Sequence, residues 1–271
     1  MKPQRPRLKW HQLKRRRSDP PFMRANLEAG LAAGAALEVD LVATAEGELL
    51  CLHDLTLDAE TTGTGPADAR TRGEIMRLRQ RAPDGRAIDD PPLFLDEVAA
   101  AAGRLWRPGC GLVQLDLKEP ASRFDDSLMS RLRETLGDPT PYIAGSTDWR
   151  LIDRLRAGVR GLALGFDPLD LYDQRIPRHA GEFEALGEKT LRLAPGVRIY
   201  YLQADLVLAG LDRGVNLVER VGRNGAGVDA WTIDGNRPNL GADLCRLIDA
   251  GVEQITTNDP LLLDSMFREA T

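Results

Sequence analysis

The sequence predicts a closed (β/α)8 barrel, the TIM-barrel class, with a small insertion after its second strand. Three observations carry that reading. Short β-rich runs alternate with longer amphipathic runs from one end to the other, the pattern of parallel strands joined by helical crossovers. The 271 residues give room for eight such units around one hydrophobic core. No internal repeat or low-complexity linker interrupts them, so residues 1–271 read as a single barrel domain.

In chain order, strands are expected at Leu8–Leu13, Ala36–Val42, Leu112–Lys118, Tyr142–Gly145, Gly161–Phe166, Arg198–Leu202, Val228–Ile233 and Gln254–Thr256. The first helix, Pro21–Ala33, is rich in Ala and Leu and stops at Gly34, a residue suited to the turn after a helix. Helices follow at Phe94–Gly103, Asp125–Leu136, Trp149–Ala157, Ala180–Leu193, Ala204–Val221, Leu240–Ala250 and Leu261–Ala270. A second short strand, Leu49–His53, precedes the one break in the rhythm, at about residues 54–95. That segment is too long for an ordinary connection. It holds two turn-forming runs, Thr61-Thr62-Gly63-Thr64-Gly65-Pro66 and Asp89-Asp90-Pro91-Pro92, and is expected to lie over the barrel mouth.

Composition narrows the class further. Fractions of 42% hydrophobic and 28% charged residues are those of a globular protein rather than a disordered one. No apolar run approaches a membrane span, and no apolar stretch follows Met1-Lys2-Pro3, so neither a transmembrane segment nor a secretory signal is expected. The three cysteines, Cys51, Cys110 and Cys245, are scattered and read as buried thiols in a reducing cytoplasm. The net charge of −5 is unevenly placed: residues 1–24 hold nine basic side chains against Asp19 alone. Two readings of that stretch stand: a solvated basic arm, or a collar that attracts an anionic substrate or lipid headgroup. A nucleic-acid partner is not expected, because aromatic residues hardly interleave these charges and the rest of the chain is acidic.

The strongest local chemistry lies in Leu37-Glu38-Val39-Asp40-Leu41. Alternate residues of a strand share a face, so Glu38 and Asp40 stand together opposite three apolar side chains. Gln114, Asp116 and Lys118 repeat the arrangement in the third barrel strand. Buried charges are costly unless paired or bound to metal. Three carboxylates without Cys or His favour a hard cation, Mg2+ or Ca2+. An antiparallel sheet with one wet face, or an internal Lys118 salt bridge, would also explain the pattern. His11 and His53 fall at strand ends, where barrel enzymes place catalytic groups. Spacing alone assigns neither, and His179 sits in a polar, solvated turn.

Three stretches resemble the glycerophosphodiester phosphodiesterase family: Gly34-Ala35-Ala36-Leu37-Glu38-Val39-Asp40-Leu41, Gly47 through Asp58 with His53-Asp54 inside it, and Thr61-Thr62-Gly63-Thr64-Gly65. Leu115-Asp116-Leu117-Lys118 is similar to the family's Glu-x-Lys strand, with Asp for Glu. Trp231-Thr232-Ile233-Asp234 resembles its Trp-Thr-x-Asn strand, and Gly251 through Pro260 its closing motif. The resemblance implies a metal on Glu38, Asp40 and Asp116, general acid/base roles for His11 and His53, and a phosphate contact from Lys118. It also implies that Trp231 walls the alcohol pocket, a core aromatic being the alternative. The implied activity is hydrolysis of a small phosphodiester to glycerol phosphate and an alcohol. His11 is followed by Gln12-Leu13, where the family has Arg-Gly. The missing guanidinium leaves Lys14 or Arg15–Arg17 as replacement phosphate ligands.

Two rivals remain at this level. One keeps the barrel but takes a lysolipid, as a lysophospholipase D or a sphingomyelinase D-like enzyme, and predicts an apolar rim on the insertion at Leu55, Leu57 and Met76. The other is a non-catalytic barrel that binds phosphorylated ligands.

Overall fold

The computed structural model describes residues 5–173 and 175–269. Among them, eight parallel strands close into a barrel: β1 (Arg7–Trp10), β2 (Ala36–Ala43), β4 (Val113–Leu117), β5 (Tyr142–Ser146), β6 (Ala163–Phe166), β7 (Ile199–Gln203), β8 (Gly227–Trp231) and β9 (Gln254–Thr257). Closure occurs at β1, where Lys9 stands opposite both Ala36 of β2 and Thr256 of β9. A ninth strand, β3 (Leu49–Cys51), pairs antiparallel with the end of β2, Leu41 opposite Cys51. The helices between strands are α1 (Arg24–Ala32), α2 (Arg72–Ile75), α3 (Leu95–Leu105), α4 (Asp126–Leu136), α5 (Trp149–Gly158), α6 (Ala180–Leu193), α7 (Ala204–Leu211), α8 (Leu217–Gly222), α9 (Leu240–Asp249) and α10 (Pro260–Glu269). Among the described residues, no helix is long and apolar enough to cross a membrane.

Alternation along the strands builds two different cores. Outward residues Leu37, Val39, Leu41, Val113 and Leu115 are fully buried against helix residues such as Leu27, Val98 and Leu132. Burial of each such side chain contributes about 1.5–3 kcal/mol. The inward residues are largely polar: Lys9, Glu38, Asp40, Gln114, Asp229 and Thr256 are all buried inside the barrel. Toward the strand starts, Ile143, Ile199 and Tyr201 form a small apolar cluster. Gly145 and Gly165 leave room for the Tyr201 ring, and a Cβ on Gly165 would fall 2.3 Å from it.

Several expectations need correction. The first strand ends at Trp10, because Gln12 and Leu13 take left-handed backbone angles (φ 53° and 59°) in a tight turn. The first helix begins at Arg24, after Phe22 at φ 53° has turned the chain back onto the Gln12 carbonyl. The single helix expected over Ala204–Val221 is two, broken at Gly214 (φ 75°), and Asn216 caps the second by accepting from the Glu219 N–H. Ala270, the expected end of the last helix, lies outside the described residues. Of the cysteines only Cys51 is buried; Cys110 is half-buried and Cys245 exposed.

The basic stretch is not one arm. Lys9 is inside the barrel, Lys14 is half-buried, and Arg24 pairs with Glu97 at 2.5 Å. Arg5 pairs with Asp264, while Arg15, Arg16 and Arg17 are exposed; Lys2 lies outside the described residues. The segment after β3 has its own apolar cluster, in which Val42, Leu50, Leu52, Leu57, Ile75 and Phe94 are buried and Met76 packs alongside. Leu57 and Met76 therefore face inward, and only Leu55 of the three expected rim residues is exposed, at 50%.

Tyr201 fills the space that Gly165 leaves, so overpacking there has a defined consequence. Gly165→Ala is expected to destabilise the protein by about 1–3 kcal/mol, read as a lower urea midpoint at unchanged m-value; an unaltered midpoint would mean the interior is not packed as described.

Candidate active site

The acidic residues are gathered by strand register. Asp40 on β2 stands directly opposite Asp116 on β4, one inward step beyond Glu38 opposite Gln114. Oxygens of Glu38, Asp40 and Asp116 all lie within 4.8 Å of one another. Burial raises the Glu38 pKa, and the neighbouring Asp40 adds to the rise. Burial likewise raises Asp116, with Lys118 opposing and Asp40 adding. Burial also works to raise Asp40, but Lys118, His53 and His11 hold it below the usual carboxylate range. The Glu38 Oε2 atom is buried with no hydrogen-bond partner.

Lys118, just past the end of β4, reaches back over the carboxylates. Its Nζ lies 2.8 Å from Asp40 Oδ1 and 2.5 Å from Asp116 Oδ2. Although burial works to lower its pKa, Asp116 and Asp40 drive it up, so the ammonium stays charged. The internal salt bridge weighed from the sequence is therefore present, and it coexists with the carboxylate cluster.

The turn that ends β1 aims two side chains into the same place. Gln12 donates from Nε2 to Asp40 Oδ2 at 3.1 Å. His11 presents Nε2 at 3.6 Å from Glu38 Oε2, while its Nδ1 lies 2.9 Å from Asn258 Oδ1. Asn258 donates its amide to both oxygens of Asp234, at 3.1 and 2.9 Å. With the amide nitrogen committed to a carboxylate, Asn258 offers only its oxygen to the ring. His11 Nδ1 must then carry a proton, and Nε2 is the ring nitrogen that faces the carboxylates.

His53 is half exposed, donates from Nδ1 to Asp54 Oδ1 at 2.9 Å, and gives its backbone N–H to Glu60 Oε2 at 2.9 Å. Burial works to lower the His53 pKa, but Asp40, the Asp54 hydrogen bond and Glu60 raise it above 6.5. Lys14 is partly desolvated, which lowers its pKa, and Glu60, Asp234, Asp40 and Glu38 surround it as opposing charges. It is thus Lys14, rather than Arg15–Arg17, that turns toward the site. Trp231 ends β8 opposite Gln203 on β7, and its Nε1 is buried without a hydrogen-bond partner. Gln203 accepts from the Tyr172 hydroxyl at 3.0 Å.

The sequence reading missed Gln12, Asn258, Asp234, Glu60 and Asp167. Asn258 follows β9 directly, Gln12 lies two residues past β1 and Asp234 three past β8, and strand-end position was the signal available for all three. Asp167 follows β6 and is raised well above its ordinary value by burial, with Asp116 adding. Glu60 gave no such signal. His179 is exposed, as expected. A cavity of about 1380 Å³ opens at the opposite end of the barrel, lined by Arg7, Leu112, Ile143, Ile199 and Gln254 near the strand starts, and none of the predicted site residues lines it.

The raised Glu38 pKa makes a stability prediction for protein stripped of divalent ions by a chelator. An unfolded Glu38 loses its proton near pH 4.5, while the folded one holds it to higher pH. Stability therefore falls as pH rises from there through the folded value. Glu38→Gln should flatten that part of a Tm-against-pH curve. Parallel curves for the two proteins would show that Glu38 does not carry the buried charge.

The model of the Glycerophosphoryl diester phosphodiesterase family matches residues 25–262. A Mycobacterium tuberculosis protein named "Probable glycerophosphodiester phosphodiesterase 1" is 28% identical over 255 residues, covering 89% of this chain and 85% of that protein. Two solved structures share the fold. One is an Oleispira antarctica phosphodiesterase in complex with the product sn-glycerol-3-phosphate (TM-score 0.70, 16% identity, 97% of each chain covered). The other is a glycerophosphodiester phosphodiesterase of Agrobacterium tumefaciens (TM-score 0.66, 19% identity, 94% of this chain and 98% of that one). The chain belongs to the glycerophosphoryl diester phosphodiesterase family and is a phosphoric diester hydrolase.

Proposed function

We propose that the protein hydrolyses glycerophosphodiesters to glycerol phosphate and an alcohol, with His11 as general base, His53 as general acid, and one divalent cation on Glu38, Asp40 and Asp116. The observation that carries this reading is the convergence of those three carboxylates within 4.8 Å, with His11 Nε2 at 3.6 Å from Glu38. Three features support the cation. The donors are all oxygen, which suits Mg2+ or Ca2+. Glu38 Oε2 is buried and lacks a partner. Three carboxylates against the Lys118 ammonium leave two negative charges, which one divalent ion neutralises.

When bound, the ion supplies Lewis-acid stabilisation of the charge that builds on the phosphoryl oxygens. Lys118 and Lys14 add fixed positive charge beside it, Lys14 as a point charge where the family has a forked guanidinium. His11, its tautomer set by Asn258, takes the proton from a glycerol hydroxyl of the substrate. The O–P bond forms as the bond to the departing alcohol breaks. His53, whose protonated form is favoured by Asp40, Asp54 and Glu60, gives its proton to that alkoxide. Hydrolysis of the resulting cyclic ester runs the two roles in reverse. Trp231 walls the alcohol side. That the Oleispira protein holds sn-glycerol-3-phosphate supports a glycerol phosphate product here. The inward packing of Leu57 and Met76 favours a small soluble diester over a lysolipid.

A panel of glycerophosphodiesters, assayed after chelation and again with added Mg2+ or Ca2+, tests the activity: turnover restored by the ion supports the reading, and full turnover in chelator contradicts it. His53→Ala is expected to lower kcat/KM by about 10²–10⁴-fold. Asp54→Asn removes one of the interactions that raise the His53 pKa, so the alkaline limb of the kcat/KM profile should move to lower pH; an unmoved limb assigns the acid to another group. A diester with no free hydroxyl next to the ester should resist cleavage, and brisk turnover of it would replace internal attack with direct attack by water.

A further inference from the structure

Beneath the three carboxylates, on the side of the strand starts, the barrel holds a second pair of charges that the mechanism does not use. Lys9 Nζ on β1 lies 2.9 Å from Asp229 Oδ2 on β8, and the two side chains are 2% and 0% exposed. Lys9 Nζ also donates to Gln114 Oε1 and sits 4.5 Å from the centre of the Tyr201 ring. Asp229 accepts in addition from Thr256 Oγ1 at 2.6 Å and Gln254 Nε2 at 2.5 Å. Both charges are thus fixed in place by groups on five strands.

Stability alone does not account for such a pair. Replacing a buried ion pair by well-packed apolar residues is often neutral or stabilising. The position of Lys9 supplies another reason. Gln114, which it contacts, stands opposite Glu38 and shares the inner face of β4 with Asp116. Its buried ammonium thus stands one side-chain contact from the level of Glu38 and Asp116, where a positive charge favours their ionised forms. Lys9 stands on β1, which pairs with β2, whereas Asp229 stands on β8, two strands further round the barrel and bound to Gln254 and Thr256 of β9, so the ammonium is the nearer charge to the carboxylates.

We propose that Lys9 is a positioning residue that sets the divalent-cation affinity of the Glu38–Asp40–Asp116 site from below, by holding a fixed positive charge under two of its three carboxylates. It lets the three acids remain close together without the ion, and it weakens their grip on the ion when it is bound. The inference rests on the cation reading above.

The test is calorimetric titration of the chelator-treated full chain with MgCl2 and with CaCl2. The wild type should bind one ion. Lys9→Met combined with Asp229→Leu removes the pair without stranding a charge, and should bind the ion tighter by on the order of tenfold. Asp229→Asn leaves Lys9 less compensated and should bind it several-fold weaker. Thermal melts with and without the ion give a second readout: the rise in Tm on adding Mg2+ should grow in the double variant and shrink in Asp229→Asn. A folded double variant with unchanged or weaker affinity makes Lys9 a structural residue only and overturns the proposal. If the double variant fails to fold, Asp229→Asn decides, and unchanged or tighter binding by it overturns the proposal equally. A wild type that takes up neither ion overturns the cation reading and this inference together.

Discussion

Holding three carboxylates within 4.8 Å at the mouth of a closed barrel is the constraint on which the rest of the structure depends. Like charges at that spacing repel, and removal from water adds to the cost. The protein meets this with positive charge from two directions. Lys118 reaches over the cluster from the end of β4, and Lys9 stands beneath it on β1. Gln12 adds a neutral donor to Asp40. The raised pKa values of Glu38 and Asp116 show that this compensation is incomplete. The proposed divalent cation would offset the remaining imbalance.

That constraint also explains the division of the barrel. Carboxylates on β2 and β4 force the inner face to be polar, so apolar burial must come from the outer face, where Leu37, Val39, Leu41, Val113 and Leu115 meet the helices. The polar interior is satisfied by long-range partners on neighbouring strands, such as Asp229 with Lys9, Gln254 and Thr256. Closure of the sheet is what brings those partners within reach. The catalytic reading therefore depends on the closed topology: His11 and Asn258 lie 247 residues apart in sequence and meet because β1 pairs with β9.

Much of this was legible in the chain. Period-two alternation in Leu37–Leu41 and Val113–Lys118 placed Glu38, Asp40, Asp116 and Lys118 on one face, since the side-chain period of a strand is fixed. The barrel itself followed from the strand and helix rhythm. The losses have specific causes. The turn at Gln12 and Leu13 was invisible because neither residue favours a left-handed backbone. Tertiary contacts hold it: Leu13 is fully buried and the Gln12 amide is bound to Asp40. The Asn258–Asp234 support of His11 needs two strand ends brought together, which no local pattern encodes. Lys9 was counted with an exposed basic stretch, although its place between Leu8 and Trp10 on a strand marks it as inward-facing. The break at Gly214 was written in the sequence as Gly214 and Asn216, and a long apolar helix was read across it.

The account stands or falls on what occupies the space between the three carboxylates. Diffraction from crystals grown with Mn2+ and glycerol 3-phosphate, recorded for the anomalous signal of the metal, addresses it directly. The account predicts one ion with oxygens of Glu38, Asp40 and Asp116 at about 2.0–2.6 Å and a phosphate oxygen on its open side, facing His11 and His53. A fully active protein whose crystals show no ion there, or an ion held by other residues with Lys118 still bridging Asp40 and Asp116, would contradict it.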